Sequence, residues 1–479
     1  MQLSAKTFER NQYTERVLQF GEGNFLRAFA DWMIHKMNKE VNFDSSVVVV
    51  QPIENGLVDK LNEQDGLYTL YLQGIKNGEA ISEYEVIQSI SRGINPYSSF
   101  NDYLETAKNP DMRFIISNTT EAGIYFEEND KFDAKPQKSY PAKLTRWLYE
   151  RYETFEGDKD KGMIIIPCEL IDRNGDKLKD IVNKLADQWG LDEGFKNWIN
   201  KANVFCNTLV DRIVPGYPRD RMEAITKELG YDDQLVVEGE QFHLWVIEAP
   251  AWVEKEFPAR ELGLNVLFVE DMTPYRTRKV RILNGAHTSM VPVSYLYGLR
   301  TVRESVEDDV MGQFVKEAVF NEIIPTLSLS KEELESFAAD VMDRFRNPYI
   351  KHYLISIALN SNSKYRTRVL PSVLKYKELN GELPHKLTFA LAALIRLYKG
   401  EYNGETINLK DDPTLLDLYQ ELWNQEQVDY KDIVSRVLEL EDLWGHDLNQ
   451  VEGMTDQVVG YLELIDQKGM DAGLKEVLG

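Results

Sequence analysis

Val17-Leu18-Gln19-Phe20-Gly21-Glu22-Gly23-Asn24-Phe25-Leu26-Arg27-Ala28-Phe29 is the stretch that decides the fold. An apolar, strand-like run leads into two glycines one residue apart, and a helical pattern comes next. In such a turn the first glycine permits the tight bend and the second lets backbone approach a phosphate. The helix beyond it offers unpaired N–H groups and the positive end of its dipole to an anion. Leu18 to Phe29 is therefore expected to cradle the pyrophosphate of a dinucleotide. Leu26 stands where the usual fingerprint has a third glycine, and an ordinary strand-to-helix turn reads the same way.

Strands and helices alternate on both sides of this turn. Ser46 to Val50 is a β-branched run with no polar face, as expected of a buried parallel strand. Arg113 to Asn118 and Met163 to Pro167 read alike, and a helix is expected from about Asp176. Leu67 to Leu72 and Tyr84 to Ile87 flank Asn77-Gly78, a hairpin signal. Val204 opens an extended segment ending near Asp211, and Phe242 to Ile247 and Asn265 to Val269 read as later strands. The pattern predicts a Rossmann-like, doubly wound sheet over residues 1–272.

From about Pro274 helical periodicity takes over. Helices are expected over Val306 to Asn321, Lys331 to Arg344, Ile350 to Leu359, Leu387 to Tyr398, Pro413 to Trp423, Ile433 to Leu443 and Thr455 to Gln467. Residues 273–479 thus read as an all-helical domain, with Asn403-Gly404 in an exposed turn.

The bulk properties set limits. The chain has 479 residues, 43% of them hydrophobic and 28% charged, within the range of globular proteins. No run approaches the ~18 uninterrupted apolar residues of a membrane span, and Met1 to Lys6 opens without an apolar leader. Only Cys168 and Cys206 are cysteines, both expected to be buried and inert. These features fit a reducing, cytoplasmic compartment. The net charge of −24 disfavours nucleic acid and anionic membranes as partners. It is compatible with a monomer or weak homo-oligomer. An anionic substrate would need a local cluster of Arg or Lys.

The chemistry concentrates in Lys279-Val280-Arg281-Ile282-Leu283-Asn284-Gly285-Ala286-His287-Thr288. In a regular helix each residue advances by roughly 100°, so Lys279 and His287 lie about 80° apart and Asn284 completes an arc of about 140°. One face carries an amine, an amide and an imidazole, while Val, Ile, Leu and Ala pack. Three polar groups on a mostly apolar helix are costly to bury without partners, unless a polar substrate sits there. A surface Lys, a capping Asn and a satisfied core His is the other reading.

Lys-x4-Asn-x2-His after a Rossmann-like half resembles the signature of the polyol-specific long-chain dehydrogenases, the mannitol dehydrogenase family. Gly21 to Ala28 is similar to that family's cofactor turn, which lacks the third glycine. Ser117-Asn118-Thr119-Thr120-Glu121-Ala122-Gly123 resembles its Thr-Glu-x-Gly segment. Val210-Asp211-Arg212-Ile213-Val214-Pro215 and Arg344-Phe345-Arg346-Asn347-Pro348 resemble two further motifs. They fall in family order, and the resemblance runs from about Arg16 to the end of the chain.

The resemblance implies reversible, NAD-dependent hydride transfer without a metal, a lysine standing in for the zinc of other alcohol dehydrogenases. It implies that Lys279 is the general acid in reduction and the base in oxidation. A free lysine titrates near ~10.4, so burial has to lower that value. Asn284 would donate to the carbonyl oxygen, His287 would hold a neighbouring hydroxyl, and Asp211 would orient Lys279 or bind substrate. Asn118, Thr119 and Glu121 would join the cofactor site. Glu54, after the second strand, is the only acid placed for a ribose, and no arginine adjoins it for a 2′-phosphate.

The chain departs from the polyol members at Glu169-Leu170, where they carry Asp-Asn. A second carbonyl-polarising amide is missing there, although Asn174 is nearby. The change is consistent with a small-molecule hexuronate as substrate rather than a neutral ketose, and places Glu169 among the substrate candidates. A uronate calls for a guanidinium or ammonium partner. Arg346, Lys351, Arg366 and Arg368 are the candidates, with Lys364 and His352 behind them. A solvated basic face reads the same way. An NAD-using epimerase and a non-catalytic sugar-acid-binding protein are the competing classes.

Overall fold

The computed structural model describes every residue except Asn77, and the backbone alone of Lys76. The chain divides into two compact units, Met1–Gly74 with Ile81–Met272, and Ile75–Ala80 with Thr273–Gly479. Among the described residues no helix is long and apolar enough to cross a membrane.

The first unit is organised by a six-stranded sheet. Its strands are β1 (Glu15–Phe20), β2 (Ser46–Val50), β5 (Ile90–Ile94), β6 (Phe114–Ser117), β7 (Ile164–Pro167) and β8 (Val204–Phe205), in the order β5-β2-β1-β6-β7-β8. Every pair is parallel. This is the doubly wound arrangement, whose order reverses between β1 and β6. Side chains alternate between two cores, as a strand's period of two requires. Val17, Val47, Val49, Phe114 and Ile116 point to one, and Leu18, Phe20, Val48, Val50 and Ile115 to the other.

The strands expected to complete this sheet do not join it. After Cys206 the chain leaves it, and β9 (Asn207–Asp211) pairs antiparallel with β11 (Leu244–Glu248). That strand in turn runs parallel to β12 (Val266–Val269). A third sheet holds β3 (Tyr68–Lys76), β4 (Glu79–Ile87) and β10 (Val237–Glu240). The expected turn between β3 and β4 falls on Asn77, outside the described residues, while Gly78 has φ +80°.

The second unit is helical around His385–Leu397, whose residues from Leu387 onward are all buried. Gly285–Tyr297 and Met454–Lys468 pack against this central helix. Asn403 (φ +49°) and Gly404 (φ +80°) close a small hairpin between β13 (Glu401–Tyr402) and β14 (Glu405–Thr406), so the unit is not wholly helical. Two positive φ values suit the twist of a two-residue hairpin.

Three helical expectations are corrected. Residues 306–321 do not form one helix but Val302–Glu307, Asp309–Glu317 and a wide turn over Ala318–Ile323. Ile433 to Leu443 breaks into Tyr430–Leu438 and Glu441–Trp444. Only Leu354–Ile357 is helical within 350–359. Backbone there is committed elsewhere: Val302 N–H donates to the His352 carbonyl and Leu354 N–H to that of Arg300.

Candidate active site

The glycine turn of the first unit lies at the sheet's switch point. Gly21 has φ +118°, and a Cβ there would stand 2.8 Å from the Asn118 carbonyl oxygen. Only glycine fits, because this φ is closed to L side chains and the strand end of β6 presses on the turn. Gly23 is exposed, with nothing within 4 Å of where its Cβ would be. It precedes the short helix Asn24–Arg27, whose first turn no side chain caps. Close backbone, open space and uncapped N–H groups fit a dinucleotide pyrophosphate.

Most of Leu18 to Phe29 serves this turn from below rather than facing a ligand. Leu18 and Phe20 are core, as are Leu26, Ala28 and Phe29. Gln19 donates to the Gly21 carbonyl and to Asp31, both at 3.1 Å. Arg27 is 1% exposed. Its guanidinium donates to the Glu22 and Leu235 carbonyls and the Asn24 side chain, so it braces the turn. Glu22 likewise accepts from the Leu57 N–H. Burial pushes the Asp31 carboxyl up to about 7.

The Asn118–Gly123 segment is held by Glu169. Its carboxylate accepts from the Thr119 N–H (3.0 Å), the Thr119 hydroxyl (2.9 Å) and the Ser117 hydroxyl (3.0 Å). Glu169 is 2% exposed, and burial raises its pKa against these donors. With both oxygens engaged, Glu169 positions the loop. Asn174 offers no second amide either: Nδ2 donates to Pro167 and Glu169 carbonyls, and Oδ1 accepts from Thr208 and Gly175. Thr120 sits at φ +72°, a conformation β-branched residues avoid. Thr119 is half-buried, and Glu121 is exposed.

Asp211 is the last residue of β9 and is buried. The neighbouring Arg212 donates to the Ala28 and Glu240 carbonyls and lies over the Trp32 ring at 4.3 Å. Both cysteines are buried and free; burial holds Cys168 well above its usual value and pushes Cys206 up to about 12. His243 accepts from the Asn265 N–H and stays neutral, its pKa lowered by burial to about 3.

In the second unit Lys279 ends the helix Thr273–Lys279, and Gly285 begins Gly285–Tyr297. Between them Val280–Asn284 forms a π turn, not the regular helix expected. A π turn adds a residue to the ladder and rotates the residues beyond it by roughly one 100° step, so the regular-helix arc does not hold. Gly285 is where another helix abuts: a Cβ there would lie 3.1 Å from the Arg368 carbonyl oxygen.

His287 stacks on Phe345 at 4.4 Å and meets His352 edge-on at 5.0 Å. Its Nε2 is buried without a hydrogen-bond partner. Burial first, then His352, Arg344, Arg368 and Lys364, hold the imidazole well below its usual pKa. Arg344 and His352 lie far away in sequence; they stand in the Arg344–Pro348 motif and behind the basic candidates, and nothing in the sequence ties them to His287. The basic candidates separate. Arg346 is exposed and pairs with Asp343, Arg366 turns to the Asp442 carbonyl, and Lys351 is exposed. Arg368 and Lys364 remain beside His287.

Residues 15–260 match the mannitol dehydrogenase Rossmann domain and residues 271–466 the mannitol dehydrogenase C-terminal domain. The chain is 53% identical to altronate oxidoreductase of Bacillus subtilis (strain 168), over 97% of this chain and 95% of that protein. It is 51% identical to altronate oxidoreductase of Escherichia coli O17:K52:H18, over 98% of each. A D-sorbitol dehydrogenase in substrate-free form superposes with TM-score 0.81 at 20% identity, covering 99% of this chain and 100% of that one. Pseudomonas fluorescens mannitol 2-dehydrogenase, in ternary complex with NAD and D-mannitol, superposes with TM-score 0.65 at 22% identity, covering 100% and 99%. With both family models together spanning nearly the whole length, the chain belongs to the mannitol dehydrogenase family.

Proposed function

We propose that the protein is an NAD-dependent oxidoreductase that reduces the keto group of D-tagaturonate to D-altronate, reversibly, in hexuronate catabolism. The observation that carries this reading is the identity above 50% to altronate oxidoreductases along almost the entire chain, with Lys279, Asn284 and His287 all present. In the proposed division of labour, residues 1–272 bind NAD(H) and residues 273–479 supply the catalytic side chains. The acidic, cysteine-poor composition supports a cytoplasmic enzyme working as a monomer or weak homo-oligomer.

When bound, NADH supplies the hydride that reaches the carbonyl carbon. The Lys279 ammonium gives its proton to the carbonyl oxygen, which becomes the new hydroxyl, and as the amine takes it back in oxidation. The Asn284 amide donates to the same oxygen and stabilises the charge that develops there. His287, neutral, has one ring nitrogen to donate and one to accept, and would use them on a substrate hydroxyl; its buried Nε2 has no partner in the protein. Asp211 is the carboxylate that the first unit contributes to the proposed set. In the first unit, Gly21 and Gly23 would admit the pyrophosphate, and Asn118, Thr119 and Glu121 would help hold the cofactor.

The test monitors NADH oxidation by absorbance with D-tagaturonate, D-fructuronate and D-fructose offered separately. Preference for D-tagaturonate is expected. Preference for D-fructuronate would move the substrate within the hexuronates. Interconversion of sugar acids without net NADH consumption, or no reaction with any of the three, would overturn the reading.

A further inference from the structure

We propose that Arg368, with Lys364 one helical turn before it, grips the carboxylate of the sugar acid and makes the enzyme prefer a hexuronate to a neutral ketose. The inference rests on the oxidoreductase reading and adds the residues that select the substrate class.

The two cations share one face of the helix Ser361–Arg368, four residues apart. Like charges so placed repel: burial, and then Arg368, lower the Lys364 pKa. Arg366 in the same run points elsewhere, to the Asp442 carbonyl. Arg368 is half-buried, yet among the described residues its guanidinium makes no hydrogen bond or ion pair. A partly desolvated cation without a partner is unfavourable, and five fixed donors match a planar carboxylate. Lys364 donates to the Ile357 carbonyl at 2.8 Å and keeps two further N–H groups. The acid that acts on it, Asp411, is bonded to the Tyr398 hydroxyl.

The pair is placed where a substrate would need it. The Arg368 carbonyl packs on Gly285, two residues before His287. The charges of both cations act on the His287 imidazole, whose Nε2 is buried and unpartnered. One small polar ligand that is anionic at one end and hydroxylated beside it satisfies the guanidinium, the ammonium and the imidazole together. In a chain of net charge −24, a guanidinium with no acid against it among the described residues selects an anion that long-range attraction does not bring.

The experiment measures D-altronate binding by calorimetry to the NADH-saturated enzyme, where no turnover occurs. The probes are D-altronate and the neutral polyol that carries a hydroxymethyl in place of its carboxylate. Arg368→Gln is expected to raise the Kd for D-altronate about 50-fold and Lys364→Met about 10-fold, with Arg368→Lys between wild type and Arg368→Gln. Affinity for the neutral polyol and for NADH should stay within about twofold. Unchanged D-altronate binding in Arg368→Gln, or equal loss of both ligands, would overturn the proposal. So would a ketohexose phosphate that binds through Arg368 more tightly than D-altronate. Turnover separates this from the reading beneath it. Wild type that binds D-altronate through Arg368 but leaves NADH unoxidised with D-tagaturonate refutes the substrate reading and supports the anchor. Unchanged KM for D-tagaturonate in Arg368→Gln does the reverse.

Discussion

Glu169 and Thr119 are locked together: one carboxylate oxygen of Glu169 accepts from both the backbone N–H and the hydroxyl of Thr119, at 3.0 and 2.9 Å. The contact ties the end of β7 to the loop after β6, and so fixes the loop facing the glycine turn. Glu169→Ala leaves the Thr119 N–H without its acceptor and is expected to lower stability by about 1–3 kcal/mol. It should also raise the NADH Kd about tenfold, while Glu169→Gln retains part of both. Thermal unfolding with an NADH titration checks this, and unchanged NADH affinity in Glu169→Ala would refute it.

The two glycines of the turn should respond differently. Gly21→Ala forces a Cβ into the Asn118 carbonyl at a φ of +118°, and is expected to lower stability by about 1–3 kcal/mol. Gly23→Ala meets nothing within 4 Å. Its thermal midpoint should stay near that of wild type while NADH affinity falls at least tenfold, because only the bound phosphate would meet the new methyl. A Gly23→Ala enzyme that binds NADH normally would argue against this seat for the cofactor.

Lys279→Ala should reduce turnover by about 10²–10⁴-fold with NADH binding retained, the range for loss of a positioned general acid. Kinetics and a fluorescence titration on one preparation separate the two effects, and near-normal turnover would sink the mechanism.

His287 should remain uncharged across the working range. Burial and the surrounding cations both disfavour its protonated form, so nitrogen-edited NMR should find a neutral ring from pH 8.5 down to 5.5. An imidazolium at pH 6.5 would contradict the environment described.

Stability should fall as pH rises from about 4 toward neutrality. Burial raises the Asp31 carboxyl from 3.8 to about 7 and the Glu322 carboxyl from 4.5 to about 7. Each group's contribution is therefore full below its unfolded pKa and is lost as pH rises through about 7. Between those limits the slope is about 1.4 kcal/mol per pH unit for each group. Urea midpoints from pH 4.5 to 8 test this by difference. Asp31→Asn should flatten the profile, and an unchanged slope would refute the assignment.

What the sequence made legible was local. The Gly21 turn can be read because close backbone approach and a positive φ admit only glycine, whatever lies around it. The parallel strands can be read because burial on both faces removes polar positions from Ser46 to Val50. The switch of β9 into a second sheet leaves no comparable mark, because Val204 to Asp211 is equally apolar whichever partner it takes. Residues 350–353 carry helical periodicity, but their backbone groups are spent on Arg300 and Val302. At the site, Lys279, Asn284 and His287 stand close in sequence, whereas Phe345, His352, Lys364 and Arg368 arrive through packing. Choosing among the basic candidates needed the partners of each: Asp343 for Arg346, Asp442 for Arg366.

The π turn over Val280–Asn284 makes the number of residues between Lys279 and His287 a constraint in its own right. Straightening this segment into an ordinary helix, with the same residues, would keep every functional side chain encoded. His287 would then emerge about a quarter-turn away from Phe345 and His352. A chain altered in this way would fold, look complete to a motif search, and be inert. Loop-length engineering or recombination of relatives across this segment should therefore be scored by whether it keeps the π turn together with its residue count, ahead of residue identity.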